Sequence, residues 1–141
     1  MKKAIVGIIV IAIICITGFY SYSYVTARNN FTIKELQNYG SGEELLWTDN
    51  SKYNKYDISF GTLNGTNTHE IDSKKSAYNM KINSSIQSGD FNLKIYNDSK
   101  VLFQQNGSTN KTISIDKNDT KNVKVEITGK KAKGHVVINL S

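Results

Sequence analysis

Two patterns of apolar residues divide this chain. The first is an unbroken apolar run from Ala4 to Phe19, which carries no charge and follows Lys2 and Lys3. The second begins at Tyr56, where apolar and polar positions alternate with a period of two, as they do in strands that bury one face. The chain is therefore predicted to contain an N-terminal membrane-targeting segment followed by a β-rich domain.

The apolar run predicts a signal-anchor in residues 1–27 that stays in the cell membrane as a single transmembrane helix. As a helix the run covers about 24 Å, slightly less than the ~30 Å hydrocarbon core of a bilayer. Tyrosines at positions 20, 22 and 24 extend the helix and suit the outer interface of the membrane. The lipid bilayer is then a partner, and the C-terminal domain is extracytoplasmic. The predicted span includes Ala4, Ile5, Val6, Ile9, Ile13, Cys15 and Phe19.

Two other interpretations of this segment stay open. Cleavage after Ala27 would release a secreted protein, because Val25-Thr26-Ala27 places acceptable residues where a signal peptidase reads them. Acylation of Cys15 would make a lipoprotein, although Ile14 stands where such a signal has a small residue. A buried helix of a soluble protein fits poorly, because the run is apolar on every face.

Residues 28–54 are expected to form a stalk with short helical turns. Thr32-Ile33-Lys34-Glu35 has the form of a capping box and predicts a helix that ends near Gly40. Ser41-Gly42-Glu43-Glu44 repeats the pattern. Trp47 is expected to pack on the following domain, and an exposed tryptophan that stacks on a ligand is the alternative.

Residues 55–141 predict an all-β domain of seven or eight short antiparallel strands. A β-sandwich is expected, with a small barrel as the alternative. The first predicted hairpin sets Phe60 opposite His69 and Ile58 opposite Ile71. The last one sets Val123 opposite Leu140. The predicted turns are Asn64-Gly65, Ser88-Gly89-Asp90, Asn97-Asp98-Ser99 and Lys130-Lys131-Ala132-Lys133.

Composition narrows the function classes. The net charge of +6 falls to +3 after position 28, where 15 basic and 12 acidic residues remain. Nucleic-acid binders normally carry a denser basic stripe, so no nucleic-acid partner is expected. Cys15 is the single cysteine, so the domain has no disulfide and no cysteine metal site. No cofactor motif occurs.

Few residues offer chemistry. The two histidines, His69 and His135, fall on different faces of different predicted hairpins, so no shared metal site is expected. The segment Asp116–Asn122 resembles a calcium loop, but it has lysine at the glycine position and Ile127 in place of the last glutamate. We interpret it as a turn rich in Asn and Asp. No catalytic residues are predicted.

Lys130, Lys131 and Lys133 form a cluster of positive charge at the predicted tip of the last hairpin. A solvated loop explains them. The functional alternative is contact with an anionic envelope polymer or with lipid headgroups, because several close lysines act together at a charged surface.

Ser88 to Leu140, which reads SGDFNLKIYNDSKVLFQQNGS through NVKVEITGKKAKGHVVINL, resembles uncharacterised membrane-anchored or secreted β-sandwich proteins of low-GC Gram-positive bacteria. The resemblance implies a sandwich behind an N-terminal apolar segment and an envelope location, and it brings no functional residues.

These observations predict a membrane-anchored, extracytoplasmic, non-enzymatic module that binds a ligand or acts in the cell envelope. The alternative is a secreted carbohydrate- or cell-wall-binding protein, for which Trp47 and Tyr96 exposed on one patch would be evidence. An enzyme would require polar residues that converge in a deep pocket.

Overall fold

A computed structural model describes residues 30–40 and 46–141, with the side chains of 37–40 left out. The predicted membrane span, the cleavage after Ala27, the acylation of Cys15 and the turn at 41–44 lie outside the described residues. No helix long and apolar enough to cross a bilayer occurs in the described ranges.

The described chain is all-β and antiparallel, as predicted. The predicted helix at Thr32–Glu35 is wrong, because these residues lie in an edge strand that pairs Ile33 with Ile71. The strands are β1 (Phe31–Gly40), β2 (Thr48–Asp49), β3 (Lys55–Ser73), β4 (Tyr78–Tyr96), β5 (Val101–Asn106), β6 (Thr109–Ile115) and β7 (Val123–Leu140).

Three long strands, β3, β4 and β7, each run through both halves of the sheet. The half that holds the N-terminal part of β3 has the order β2-β3-β7-β4-β6, and the other half has the order β1-β3-β7-β4-β5. The ladders lose their regular register between Phe60 and Gly65 in β3 and between Ile86 and Asp90 in β4. We call these positions, with 130–133 of β7, the bend.

The two halves pack face to face. Tyr56 and His69 are thirteen residues apart on β3, which would separate them by roughly 40 Å in a straight strand. Their ring centroids are 5.2 Å apart. Phe60 likewise stacks on Phe91 at 5.6 Å. A sheet folded on itself in this way is consistent with the predicted β-sandwich.

The fold corrects three predicted turns. Asn64-Gly65, Ser88–Asp90 and Lys130–Lys133 each lie inside a continuous strand. Val123 therefore pairs with Ile71 and Leu140 pairs with Met80, not with each other. Of the four hairpin turns predicted above, only the one at 97–99 joins two strands. A three-residue loop there would set Ile95 opposite Val101. In the structure Ile95 pairs with Phe103, because the loop takes in Lys100 and the ladder shifts by one more residue between Ile95 and Tyr96.

The predicted inward faces are nevertheless correct. Ile58, Phe60, His69 and Ile71 are all buried, although they meet across the core and not side by side in one hairpin. The alternating apolar positions of β4 and β7 are buried in the same way. They are Tyr78, Met80, Ile82, Phe91, Leu93, Ile95, Val123, Val125, Ile127, Val136, Ile138 and Leu140.

Candidate functional site

The bend is held in one geometry by close backbone contacts. Gly89 has φ +79°, and a Cβ there would lie 2.1 Å from the carbonyl oxygen of Lys131. Lys131 itself has φ 52°, and its N–H donates to Oδ1 of Asn64 at 2.7 Å. Glycine is therefore required at 89, and β3, β4 and β7 are tied together where they bend.

An open groove of about 610 Å³ lies beside the bend. Its walls come from the middle of β4 (89–92) and of β7 (128–130), and from Asn106 and Gly107 where β5 ends. Glycines 89, 107 and 129 line it, and the polar residues along it are Asp90, Asn92, Asn106, Thr128 and Lys130.

A row of polar side chains crosses the outer face of the sheet and ends in this groove. Thr66 and Thr128 are cross-strand partners with hydroxyl oxygens 2.9 Å apart. Asn92 is the partner of Thr128 on one side and of Asn106 on the other, and its Nδ2 donates to Oδ1 of Asn106 at 2.7 Å. The row offers alternating donors and acceptors to a ligand rich in hydroxyl groups.

The structure places the predicted lysine cluster on the bend and not at a hairpin tip. Lys130, Lys131 and Lys133 are all exposed. Lys130 lines the groove. Lys133 lines a second pocket of about 240 Å³, together with Ser59, Gln87 and His135.

His135 in that second pocket is fixed by an aspartate. Its Nε2 lies 2.7 Å from Oδ1 of Asp57, whose other oxygen accepts from Nζ of Lys55 at 2.5 Å. Burial alone would raise the pKa of Asp57, but the hydrogen bonds from His135 and Lys55 lower the pKa below its ordinary value. The carboxylate is therefore charged at neutral pH.

Trp47 and Tyr96 do not form a common patch. Trp47 stacks on the inward-facing Phe60 at 6.3 Å, which confirms that it packs on the domain. Tyr96 lies on the outer face, with Nζ of Lys94 and of Lys124 at 4.6 and 5.9 Å from its ring centroid. The Trp47–Tyr96 patch that would support carbohydrate binding is therefore absent.

A second polar cluster lies between the two halves. His69 is buried, and its Nε2 lies 2.8 Å from Oδ2 of Asp49, while Nδ2 of Asn67 donates to Oε1 of Glu35 at 2.7 Å. Burial raises the pKa of Tyr56 well above its ordinary value, and the carboxylates of Asp49 and Glu35 add to this rise. The hydroxyl of Tyr56 and Nδ1 of His69 are sealed from solvent, so a substrate has no route to them.

Sequence reasoning missed the groove residues. Asn92 and Asn106 are two of many asparagines, and only the strand register shows that they face each other.

The segment that resembles a calcium loop forms a turn. The N–H of Asp119 donates to the carbonyl oxygen of Asp116 at 2.8 Å. No three His, Cys, Asp or Glu side chains among residues 30–40 and 46–141 are grouped to hold a metal ion.

Comparisons with known proteins give no family. No family model and no curated sequence matches this chain. Similar solved structures include one described as CBM4 (11% identity, TM-score 0.35, covering 80% of this chain and 87% of that one). TmCBM61 in complex with β-1,4-galactotriose has 10% identity and a TM-score of 0.33 over 82% and 89%.

The extra C-terminal domain (X) of an exo-1,3/1,4-β-glucanase from a Pseudoalteromonas species has 10% identity and a TM-score of 0.37 over 79% and 83%. At such TM-scores these similarities carry no functional argument, so function has to be inferred from this chain's own residues.

Proposed function

We propose that this protein is an exported, non-enzymatic module that binds a carbohydrate polymer in the groove beside the bend. The observation that supports this is the row from Thr66 through Thr128 and Asn92 to Asn106, which ends in an open groove of about 610 Å³. Amides and hydroxyls present both donors and acceptors, as sugar hydroxyls require. An open groove can also bind an internal stretch of a polymer, because the polymer does not have to enter by its end.

The geometry around the row favours binding of an extended ligand. The row spans four neighbouring strands, β3, β7, β4 and β5, which lie about 4.8 Å apart. Its side chains are already hydrogen-bonded in two pairs, Thr66 with Thr128 and Asn92 with Asn106, so they lose little rotamer freedom when a ligand binds.

A matched pair of double variants tests this proposal. Asn83 and Asn110 are a second pair of cross-strand asparagines. Both are exposed, and they lie on the outer face of the other half of the sheet. We expect N92A/N106A to abolish retardation of the full-length protein in gels that contain galactan, xylan, β-glucan or polygalacturonate, and N83A/N110A to leave it unchanged. Equal behaviour of the two variants, or no retardation of the wild type by any of these polymers, would contradict the proposal.

We further propose that the apolar run from Ala4 to Phe19 holds the module at the outer surface of the cell membrane. An unbroken apolar segment behind two lysines supports export with the C-terminal domain outside. Fractionation with N-terminal sequencing tests this part. A mature chain that begins at Arg28 in the medium would replace the anchor with the secreted alternative.

A further inference from the structure

The lysines of the bend extend the groove into a charged surface. Lys130, Lys131 and Lys133 fall within four consecutive positions of β7 and are all exposed. Among the described residues none of them is in a salt bridge, whereas Lys55, Lys100 and Lys124 each have an aspartate partner. Three positive charges are therefore available for a ligand at one place.

The backbone beneath these lysines is fixed. The carbonyl of Lys131 packs against Gly89, and its N–H is bonded to the Asn64 side chain. The backbone of such a segment is more preorganised than that of a mobile loop, so less conformational entropy is lost when its lysines bind a ligand.

The three lysines connect two concave sites. β7 passes from Thr128 and Lys130 in the groove to Lys133 and His135 in the second pocket. Hydroxyl and amide groups, from Ser59 and Gln87, accompany the charges in that pocket. One acidic residue, Asp90, lies across from Lys130. The surface thus combines groups that can hydrogen-bond to sugar hydroxyls with an excess of positive charge.

We propose that the polymer bound by this protein is anionic, and that the lysines of the bend bind its negatively charged groups. This inference rests on the proposed function, because it assigns a charge to the ligand of the same groove. The charge could be a phosphate or a carboxylate on successive units of the polymer, since lysine binds both as a compact point charge.

The test compares two triple variants of the full-length protein, kept in non-ionic detergent, with long-chain polyphosphate and polygalacturonate as probes. We expect K130Q/K131Q/K133Q to weaken binding at low ionic strength by about tenfold or more, and added salt to weaken the wild type in the same direction. The control K111Q/K117Q/K121Q removes the same charge from exposed positions on β6 and the next loop, and it should bind like the wild type.

Lysine-dependent binding of either polymer supports the inference, and the polymer that binds identifies the charged group. Equal weakening by the two triple variants would overturn it. So would lysine-dependent binding of phosphatidylglycerol vesicles without binding of either polymer, which would assign the surface to lipid headgroups. Binding of a neutral polysaccharide but of no anionic one would overturn this inference and leave the proposed function standing, whereas binding of no polymer at all would remove both.

Discussion

His69 and Asp49 join the two halves of the folded sheet. Nε2 of His69, on the half that contains β1, lies 2.8 Å from Oδ2 of Asp49, on β2 of the other half. The histidine side chain is 2% exposed and the aspartate 28%. The contact therefore closes the core at the edge formed by β1 and β2.

Removing this aspartate should destabilise the protein. Asp49→Ala leaves Nε2 of the buried His69 without its partner, which typically costs about 1–3 kcal/mol of unfolding free energy. Urea unfolding followed by tryptophan fluorescence measures the change. Asp98→Ala is the control, because Asp98 pairs with Asn122 and Lys124 at an exposed site, and it should leave the midpoint nearly unchanged. A larger loss in the control would contradict the role of the His69–Asp49 contact.

Two aspartates should make stability depend on pH. Burial alone would raise the pKa of Asp49. The hydrogen bonds from Ser51 and His69 together lower it by more than burial raises it, so the pKa lies below the ordinary value of 3.8. Asp57 is shifted in the same direction. Because the folded pKa values are the lower ones, the stabilisation is complete well above the ordinary pKa of 3.8 and is lost as the pH falls below it and through the folded pKa values.

Thermal unfolding between neutral and acidic pH tests this dependence. We expect D49N/D57N to start with a lower Tm and to lose less of it on acidification than the wild type does. Parallel curves for the two proteins would show that other carboxylates carry the acid sensitivity.

Substitutions of two glycines distinguish how steric crowding and backbone strain each affect the stability of the fold. Gly89 and Gly107 both have positive φ, +79° and +71°, but a Cβ would meet the Lys131 carbonyl only at position 89. Gly107→Ala should cost about 1–2 kcal/mol through its φ alone. Gly89→Ala should cost clearly more, because the backbone of β7 has to move. Equal losses in urea unfolding would contradict the close packing of β4 and β7 at the bend.

The continuity of β7 can be tested by disulfide trapping. Thr66 and Thr128 are partners in the folded sheet, whereas a hairpin at 130–133 would instead place Thr128 beside His135. In a C15S background we expect T66C/T128C to form a disulfide on mild oxidation and T128C/H135C to stay reduced. The reverse result, read by thiol labelling, would restore the hairpin.

The sequence predicts which residues are buried better than it predicts how the strands pair. Alternation places Ile58, Phe60, His69 and Ile71 on the inward face, and the structure agrees. The same alternation fits a hairpin at Asn64-Gly65 and a strand that bends there, because both arrangements keep these four side chains on one face. Local signals at a turn and at a bend are the same: a glycine, and polar neighbours that tolerate positive φ.

The candidate site was less predictable than the fold. The lysine cluster is visible in the sequence, but its position beside a groove depends on the bend. Asn92 and Asn106 become a pair only through the β4–β5 register, which differs from the predicted one because the loop takes in Lys100 and the ladder shifts between Ile95 and Tyr96. Trp47 packs on the domain, as predicted. It therefore does not form an aromatic binding surface together with Tyr96.

Binding of a carbohydrate polymer in the groove between Asn92, Asn106 and Thr128 is tested most directly by affinity electrophoresis of the full-length protein. We expect a polysaccharide in the gel to slow the wild type and N83A/N110A equally and not to slow N92A/N106A. Retention of N92A/N106A to the same extent as the wild type would contradict it.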